Sequence, residues 1–166
     1  MHDTETLSPV LPDEVEEATR RLLAKACERD LTLATAESCS GGMLASLLTD
    51  VQGFAHAFDR GFVTYSEESK TDLLGVPADL IADQGAVSKA VAIAMAEGAL
   101  DRASANVAVS ITGFADKGDE PGLVFFACAR AGRKTAHREE HFGSIGRGAT
   151  RIECMRVAVE MMTEML

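Results

Sequence analysis

The sequence predicts an α/β fold in which helices cover both faces of a mixed sheet. Helix-like runs separate the early strand-like runs, and a pair of strands joined as a hairpin comes late; that order predicts the layering. The run Asn106-Val-Ala-Val-Ser-Ile-Thr-Gly113 is apolar almost without a break, as expected of a strand buried on both faces. Composition agrees. Apolar residues make up 46% of the chain and Trp is absent, a balance that suits helices packed on a sheet.

Residues 1–12 read as a flexible N-terminal tail and 13–166 as one domain, the simplest division of a chain of 166 residues. Asp13 to about Arg29 reads as a helix. Val15, Ala18, Leu22, Leu23 and Ala26 recur at helical spacing. Acidic residues crowd its start, and Lys25 and Arg29 lie toward its end, as the helix dipole favours. A strand follows at 31–36. It leads into Thr35-Ala-Glu-Ser-Cys-Ser-Gly-Gly42, and a helix runs from Met43 to Asp50.

Residues 54–58 form a short amphipathic turn, and the β-rich run 60–66 is a second strand. Ser66 is the N-cap of a helix that passes through Leu73-Leu74 and stops at Gly75-Val76-Pro77. A short helical turn covers 78–83 and a loop 83–86. An Ala-rich helix runs from Ser88 to about Ala103, and the third strand covers 106–113. A charged turn at 115–121 precedes strands at 122–130 and 134–142, joined by Ala131-Gly132-Arg133. The last helix spans 146–165, with Ile152, Met155, Val159 and Met162 down one side. That Met-rich side, which also takes in Met161 and Met165, is read as core, with the interface of a homodimer as its other use. Strands 31–36 and 107–112 are expected in the interior of the sheet.

The totals exclude several classes. The formal net charge is −10, so the chain is no general nucleic-acid binder, which needs a positive field to meet phosphates. An anionic small substrate would need a local basic cluster. No run approaches the roughly 18 apolar residues of a membrane span. The N-terminus lacks the basic start and apolar stretch of a secretory signal, so the cytoplasm is the expected location. The four cysteines, at 27, 39, 128 and 154, include no C-x-x-C pair and suggest neither a zinc site nor a disulfide framework. Cys27, Cys128 and Cys154 lie among apolar neighbours; only Cys39 stands in a polar, glycine-flanked context.

The stretch from Thr35 to Gly42 attracts attention for chemistry. A strand ending in small polar residues and Gly-Gly before a helix gathers side chains and backbone N–H groups at one point, which suits a nucleophile, an oxyanion or a phosphate. It equally suits a tight turn with a capping serine. A serine nucleophile needs a base. His2, His56, His137 and His141 have no acidic partner that sequence can place, and Gly-x-Ser-x-Gly is absent. Lysine is the alternative. Lys70 opens the helix after the second strand. If strands one and two are neighbours, their C-terminal ends share the edge where α/β sites form, and Ser38 meets Lys70 there. Tyr65, the chain's single tyrosine, ends the same strand. A lysine acts as a base only when neutral for part of the time, which burial favours; its other reading is an exposed helix lysine. Arg147 and Arg151, four apart amid Gly143, Gly146 and Gly148, share a helix face and read as an anion site or as a solvated basic face. Neither a Walker A loop nor G-x-G-x-x-G is present. No carboxylates or histidines stand at metal-ligand spacing on one element, so neither metal nor cofactor is expected.

Four motifs in order carry a resemblance. Ala36-Glu-Ser-Cys-Ser-Gly-Gly42, Arg60-Gly-Phe-Val-Thr-Tyr-Ser66 with Lys70, Gly85-Ala-Val-Ser88 and Ser110-Ile-Thr-Gly113 together resemble the CinA C-terminal domain family, the nicotinamide-nucleotide amidases once called competence/damage-inducible proteins. The similarity covers about residues 13–165. It implies a three-layer α/β/α sandwich whose mixed sheet is mostly parallel. It also implies hydrolysis of the carboxamide of nicotinamide mononucleotide to nicotinate mononucleotide and ammonia, without a metal, by a Ser/Lys mechanism serving pyridine nucleotide salvage. The nucleophile maps to Ser38, the base to Lys70 and a supporting tyrosine to Tyr65. Cys39, Ser40, Gly41 and Gly42 map to substrate and oxyanion contacts. Thr112 and Gly113 map to the substrate site, and Arg147 and Arg151 to arginines of the final helix. One extra residue lies between Phe142 and Arg147. The third-strand motif departs from the family's Gly-x-Ala-Gly-Pro continuation, reading Gly113-Phe-Ala-Asp116 with a short charged loop. The family also includes two-domain chains, whose N-terminal domain has no room in this one.

The mechanism this implies is an acyl-enzyme formed on Ser38, with Lys70 as base, N–H groups near Cys39 to Gly42 as oxyanion donors, and Arg147 and Arg151 on the 5′-phosphate. Two rivals stand beside it. Cys39 is the stronger intrinsic nucleophile, but adjacent residues of an extended segment face opposite ways, so Ser38 and Cys39 do not both face one pocket. The other is a nucleotide-binding or protein-interaction module without catalysis.

Overall fold

The computed structural model describes residues 11–166. Its elements are α1 (Asp13–Glu28), β1 (Leu33–Glu37), α2 (Met43–Asp50), a 3-10 turn (Ala55–Ala57), β2 (Phe58–Val63), α3 (Glu67–Leu74), α4 (Ala78–Gln84), α5 (Lys89–Arg102), β3 (Val107–Gly113), β4 (Leu123–Arg130), β5 (Ala136–His141) and α6 (Arg147–Met165). The expected tail and His2 fall, over residues 1–10, outside the described residues. Leu11 packs against the core and Pro12 begins the first helix.

The sheet order is β2-β1-β3-β4-β5. β1 pairs in parallel with both β2 and β3; β4 then runs antiparallel to β3, and β5 antiparallel to β4. Four of the five strands therefore point one way, while the pairings divide evenly between parallel and antiparallel. β1 and β3 are interior, as expected. From β1 the chain steps outward to β2, then crosses back over β1 to β3. That reversal opens a crevice at the C-terminal end of β1.

The two faces of the sheet differ in bulk, and this sets how closely helices approach. Leu33, Val107, Val109, Ile111, Val124, Phe126 and Cys128 join buried residues of α1, α2 and α6 in one core cluster. Ala34, Ala36 and Ala108 lie on the other face with Leu74, Val91 and Met95, and Ala127 and Ala129 lie against Ala92 and Ala96. Small side chains on that face let α5 settle onto the sheet, where the Ser110 hydroxyl donates to the Ala92 carbonyl at 2.6 Å. The Met-rich side of α6 belongs to the first cluster: Met155, Met161, Met162 and Met165 are all buried there. No described helix is long and apolar enough to cross a membrane.

Capping accounts for two helix starts. Ser66 Oγ accepts from Ser69 N–H at 3.1 Å, and Ser88 Oγ from Val91 N–H at 3.3 Å. α3 ends on Gly75 in the left-handed region. β2 begins and ends earlier than the sequence suggests, at 58–63 rather than 60–66. Thr64 N–H still bonds the Glu37 carbonyl at 2.8 Å, but the Thr64 carbonyl turns away to a side chain and Ser66 is already the helix cap.

Candidate active site

The crevice at the end of β1 is built by two residues far apart in sequence. Ser38 follows the last residue of β1, and its N–H extends the pairing with β3 by donating to the Ile111 carbonyl at 3.0 Å. Its side chain is 8% exposed. Lys70, on α3, is 1% exposed and extends its amine to the same point. Nζ donates to Ser38 Oγ at 3.0 Å and to the Thr64 carbonyl at 2.7 Å. Burial pulls the Lys70 pKa below the ordinary lysine value, against a smaller upward pull from Cys39 and Glu67. A neutral Nζ keeps its bond to the Thr64 carbonyl and offers its lone pair to the Ser38 hydroxyl, which is the geometry of a general base.

Glu37 shapes the loop between these groups. Its carboxylate is fully buried and accepts from four donors: Ser40 Oγ at 2.7 Å, Gly42 N–H at 3.2 Å, Leu44 N–H at 3.0 Å and Ala45 N–H at 2.8 Å. One side chain thus caps α2 and fastens the turn that carries Ser38. The N-terminus of α2 is therefore occupied from within. Gly41 N–H is also taken, by the Ser38 carbonyl at 3.0 Å. Among the described residues the N–H group of Cys39 donates to no protein acceptor, and Cys39 lines the crevice beside Ser38, where a backbone donor can meet an oxyanion.

The Cys39 thiol turns the other way, into the core cluster it shares with Cys154 of α6. A hydrogen bond with Cys39, together with burial, pushes the Cys154 thiol well above its ordinary range. The Cys39 carbonyl accepts from Arg151 Nε at 2.8 Å, which ties the loop to α6. A cavity of about 460 Å³ opens over Ser38 and Lys70, with Arg147 and Arg151 on its wall. No group of three or more His, Cys, Asp or Glu among the described residues is placed to hold a metal ion.

Residues 15–166 match the CinA C-terminal domain. The chain belongs to that family. Among its relatives, the nicotinamide-nucleotide amidohydrolase PncC of Escherichia coli K12 is 43% identical over 139 residues, which are 81% of this chain and 84% of that protein. A CinA-like protein of Akkermansia muciniphila is 47% identical over 113 residues, 65% of this chain. The chain spans only 27% of that relative and 28% of another long one. The crystal structure of the competence/damage-inducible protein CihA from Agrobacterium tumefaciens superposes with a TM-score of 0.91 at 39% identity, covering 93% of this chain and 97% of that one.

In this CinA domain the cavity gathers Ser38, Cys39, Tyr65, Lys70, Thr112, Gly113, Arg147 and Arg151. Ser40, Gly41 and Gly42 do not line it. Ser40 serves Glu37, Gly41 lies against the Arg151 guanidinium, and Gly42 takes a φ of +96° to start α2. The Thr112 hydroxyl is committed to the Ala86 carbonyl at 2.8 Å. Tyr65 is 72% exposed and its hydroxyl bonds neither Ser38 nor Lys70. Its neighbour Thr64 is fully buried, while Tyr65 lines the cavity from an exposed position at the rim. His137 and His141 lie exposed on β5, and His56 in the 3-10 turn, none of them lining the cavity. Sequence reasoning quoted Glu37 without giving it a role. The available signal was a carboxylate closing an apolar strand just before a helix start. Asp116 and Lys117, from the charged turn after β3, also line the cavity.

Proposed function

We propose that this domain hydrolyses the carboxamide of nicotinamide mononucleotide, giving nicotinate mononucleotide and ammonia. The observation that carries the reading is the 3.0 Å contact between a buried lysine amine and a serine hydroxyl at the floor of a cavity walled by two arginines. The relatives named as nicotinamide-nucleotide amidohydrolases support the choice of substrate.

The steps follow from the positions of the groups. Neutral Lys70 takes the proton of Ser38 as Oγ attacks the carboxamide carbon. The oxyanion that forms is held by the N–H group of Cys39, a donor worth about 3–4 kcal/mol in such a site. Lys70 returns the proton to the amide nitrogen, the C–N bond breaks, and ammonia leaves an ester on Ser38. Water, deprotonated by Lys70, then attacks that ester, and Ser38 recovers its proton as the acid departs. Arg147 and Arg151 hold the 5′-phosphate through charge-assisted hydrogen bonds. Tyr65 stands at the rim, where its ring covers bound substrate. The four cysteines are free thiols, which suits a reducing cytoplasm.

The test is ammonia release. Wild-type protein should release ammonia from the mononucleotide and far less from nicotinamide, and Ser38→Ala should lower the rate by at least about a thousandfold. Near-wild-type deamidation by Ser38→Ala would sink the assignment.

A further inference from the structure

We infer that Asp116 is a built-in counterion of Arg147 and sets the affinity of the cavity for a phosphorylated substrate. The inference rests on the phosphate-holding role proposed for Arg147 and Arg151. Asp116 lies on the turn after β3 and Arg147 is the first residue of α6, 31 positions later. They meet at the cavity, where Arg147 Nη2 donates to Asp116 Oδ1 at 3.0 Å. An anion arriving at Arg147 finds a carboxylate already bonded to the guanidinium. It must displace that carboxylate or bind beside it.

The charge balance makes this matter. The cavity is lined by Lys70, Lys117, Arg147 and Arg151 against Glu67 and Asp116. With Lys70 neutral, as the proposed base must be, three cations face two carboxylates among the described lining residues, leaving them one net positive charge. A phosphate monoester brings up to two negative charges. Glu67 acts on Lys70, whose pKa it raises, so of these two described carboxylates Asp116 is the one that opposes the phosphate. Neutralising Asp116 doubles the net positive charge of these described lining residues and weakens the carboxylate's hold on the Arg147 guanidinium. A chain of net charge −10 offers no compensation from elsewhere. Asp116 therefore narrows the preference for phosphorylated over unphosphorylated substrate and makes the site a weaker phosphate binder than two arginines alone would be.

The experiment titrates ligands by calorimetry into Ser38→Ala protein, which holds substrate without turnover, with and without Asp116→Asn. Asp116→Asn should bind nicotinamide mononucleotide about tenfold more tightly and nicotinamide riboside within about twofold of the parent. Inorganic phosphate should gain in the same direction, and the gain should shrink as salt is raised. Asp116→Glu, which keeps the charge, should bind the mononucleotide within about threefold of the parent. The inference is overturned if Asp116→Asn binds the mononucleotide or phosphate no more tightly, or more weakly, as a carboxylate that merely holds Arg147 in place would require. Equal shifts for mononucleotide and riboside would overturn it as well. Failure of the functional reading looks different: wild-type protein releases no ammonia from the mononucleotide, while Asp116→Asn still gains affinity for phosphate.

Discussion

Lys70 Nζ stands 3.0 Å from Ser38 Oγ across 32 residues of sequence, and its other bond runs to a backbone carbonyl rather than to a carboxylate. Among the described residues no side-chain anion is bonded to the amine to hold its proton. Burial then prevails over the weaker attraction of Cys39 and Glu67, and the pKa falls from the ordinary value of 10.5.

The proposed base is the deprotonated amine of Lys70, so activity should rise with pH as Lys70 loses its proton. The rising limb of kcat/KM should level off below pH 10.5, since the fold favours the neutral amine. Lys70→Arg keeps a charge that cannot be shed and should cost at least about a thousandfold in kcat/KM. A pH–rate profile measured with ammonia detection checks both. A limb that falls over the neutral-to-alkaline range, or an active arginine variant, would remove Lys70 from the role of base.

How much of this was legible in the sequence depends on how local each cause is. The caps at Ser66 and Ser88 act over three residues, and the structure has them where local chemistry puts them. The Ser38–Lys70 encounter was reachable because helices between early strands make those strands parallel, and parallel neighbours end at one edge. Tyr65 ends the run that leads to the site and does line the cavity, but its 72% exposure depends on how the turn after β2 packs, which spacing alone does not show. Gly41 and Gly42 look like donors in sequence. Their N–H groups are consumed by the turn itself. The Asp116–Arg147 pair joins a loop to a helix across 31 residues, a distance at which charge patterns carry no pairing information.

Glu37 is the residue whose role was least visible, because a carboxylate is seldom buried without partners and three of its four partners here are backbone N–H groups. Glu37→Gln preserves the shape but turns one acceptor into a donor. At least one of Ser40 Oγ–H and the N–H groups of Gly42, Leu44 and Ala45 then faces another donor in a site without solvent. The expected loss is about 2–4 kcal/mol of stability. It should be read as a lower urea midpoint at unchanged slope. Because the same turn aims Ser38, kcat/KM should also fall by about tenfold or more. A glutamine variant with wild-type midpoint and wild-type rate would show that the carboxylate does not organise the loop.

Gly98 gives a test of the packing that positions Lys70. In an ordinary helix interior, Gly→Ala adds about 1 kcal/mol of stability. At position 98 of α5 the sign should reverse. A Cβ there would lie 2.0 Å from the Leu74 carbonyl oxygen and 3.0 Å from its carbon. Those are backbone atoms at the end of α3, so relief requires α3 to move, and α3 carries Lys70. Gly98→Ala should therefore destabilise by about 1–3 kcal/mol, the usual cost of overpacking. In a chain of this length that lowers Tm by roughly 2–10 °C. The displacement of α3 should also lengthen the Ser38–Lys70 contact and lower kcat, although Gly98 is remote from the cavity. Thermal unfolding followed alongside ammonia release checks both effects. An alanine variant with raised Tm and full activity would mean that α5 and α3 are packed less tightly than this geometry requires.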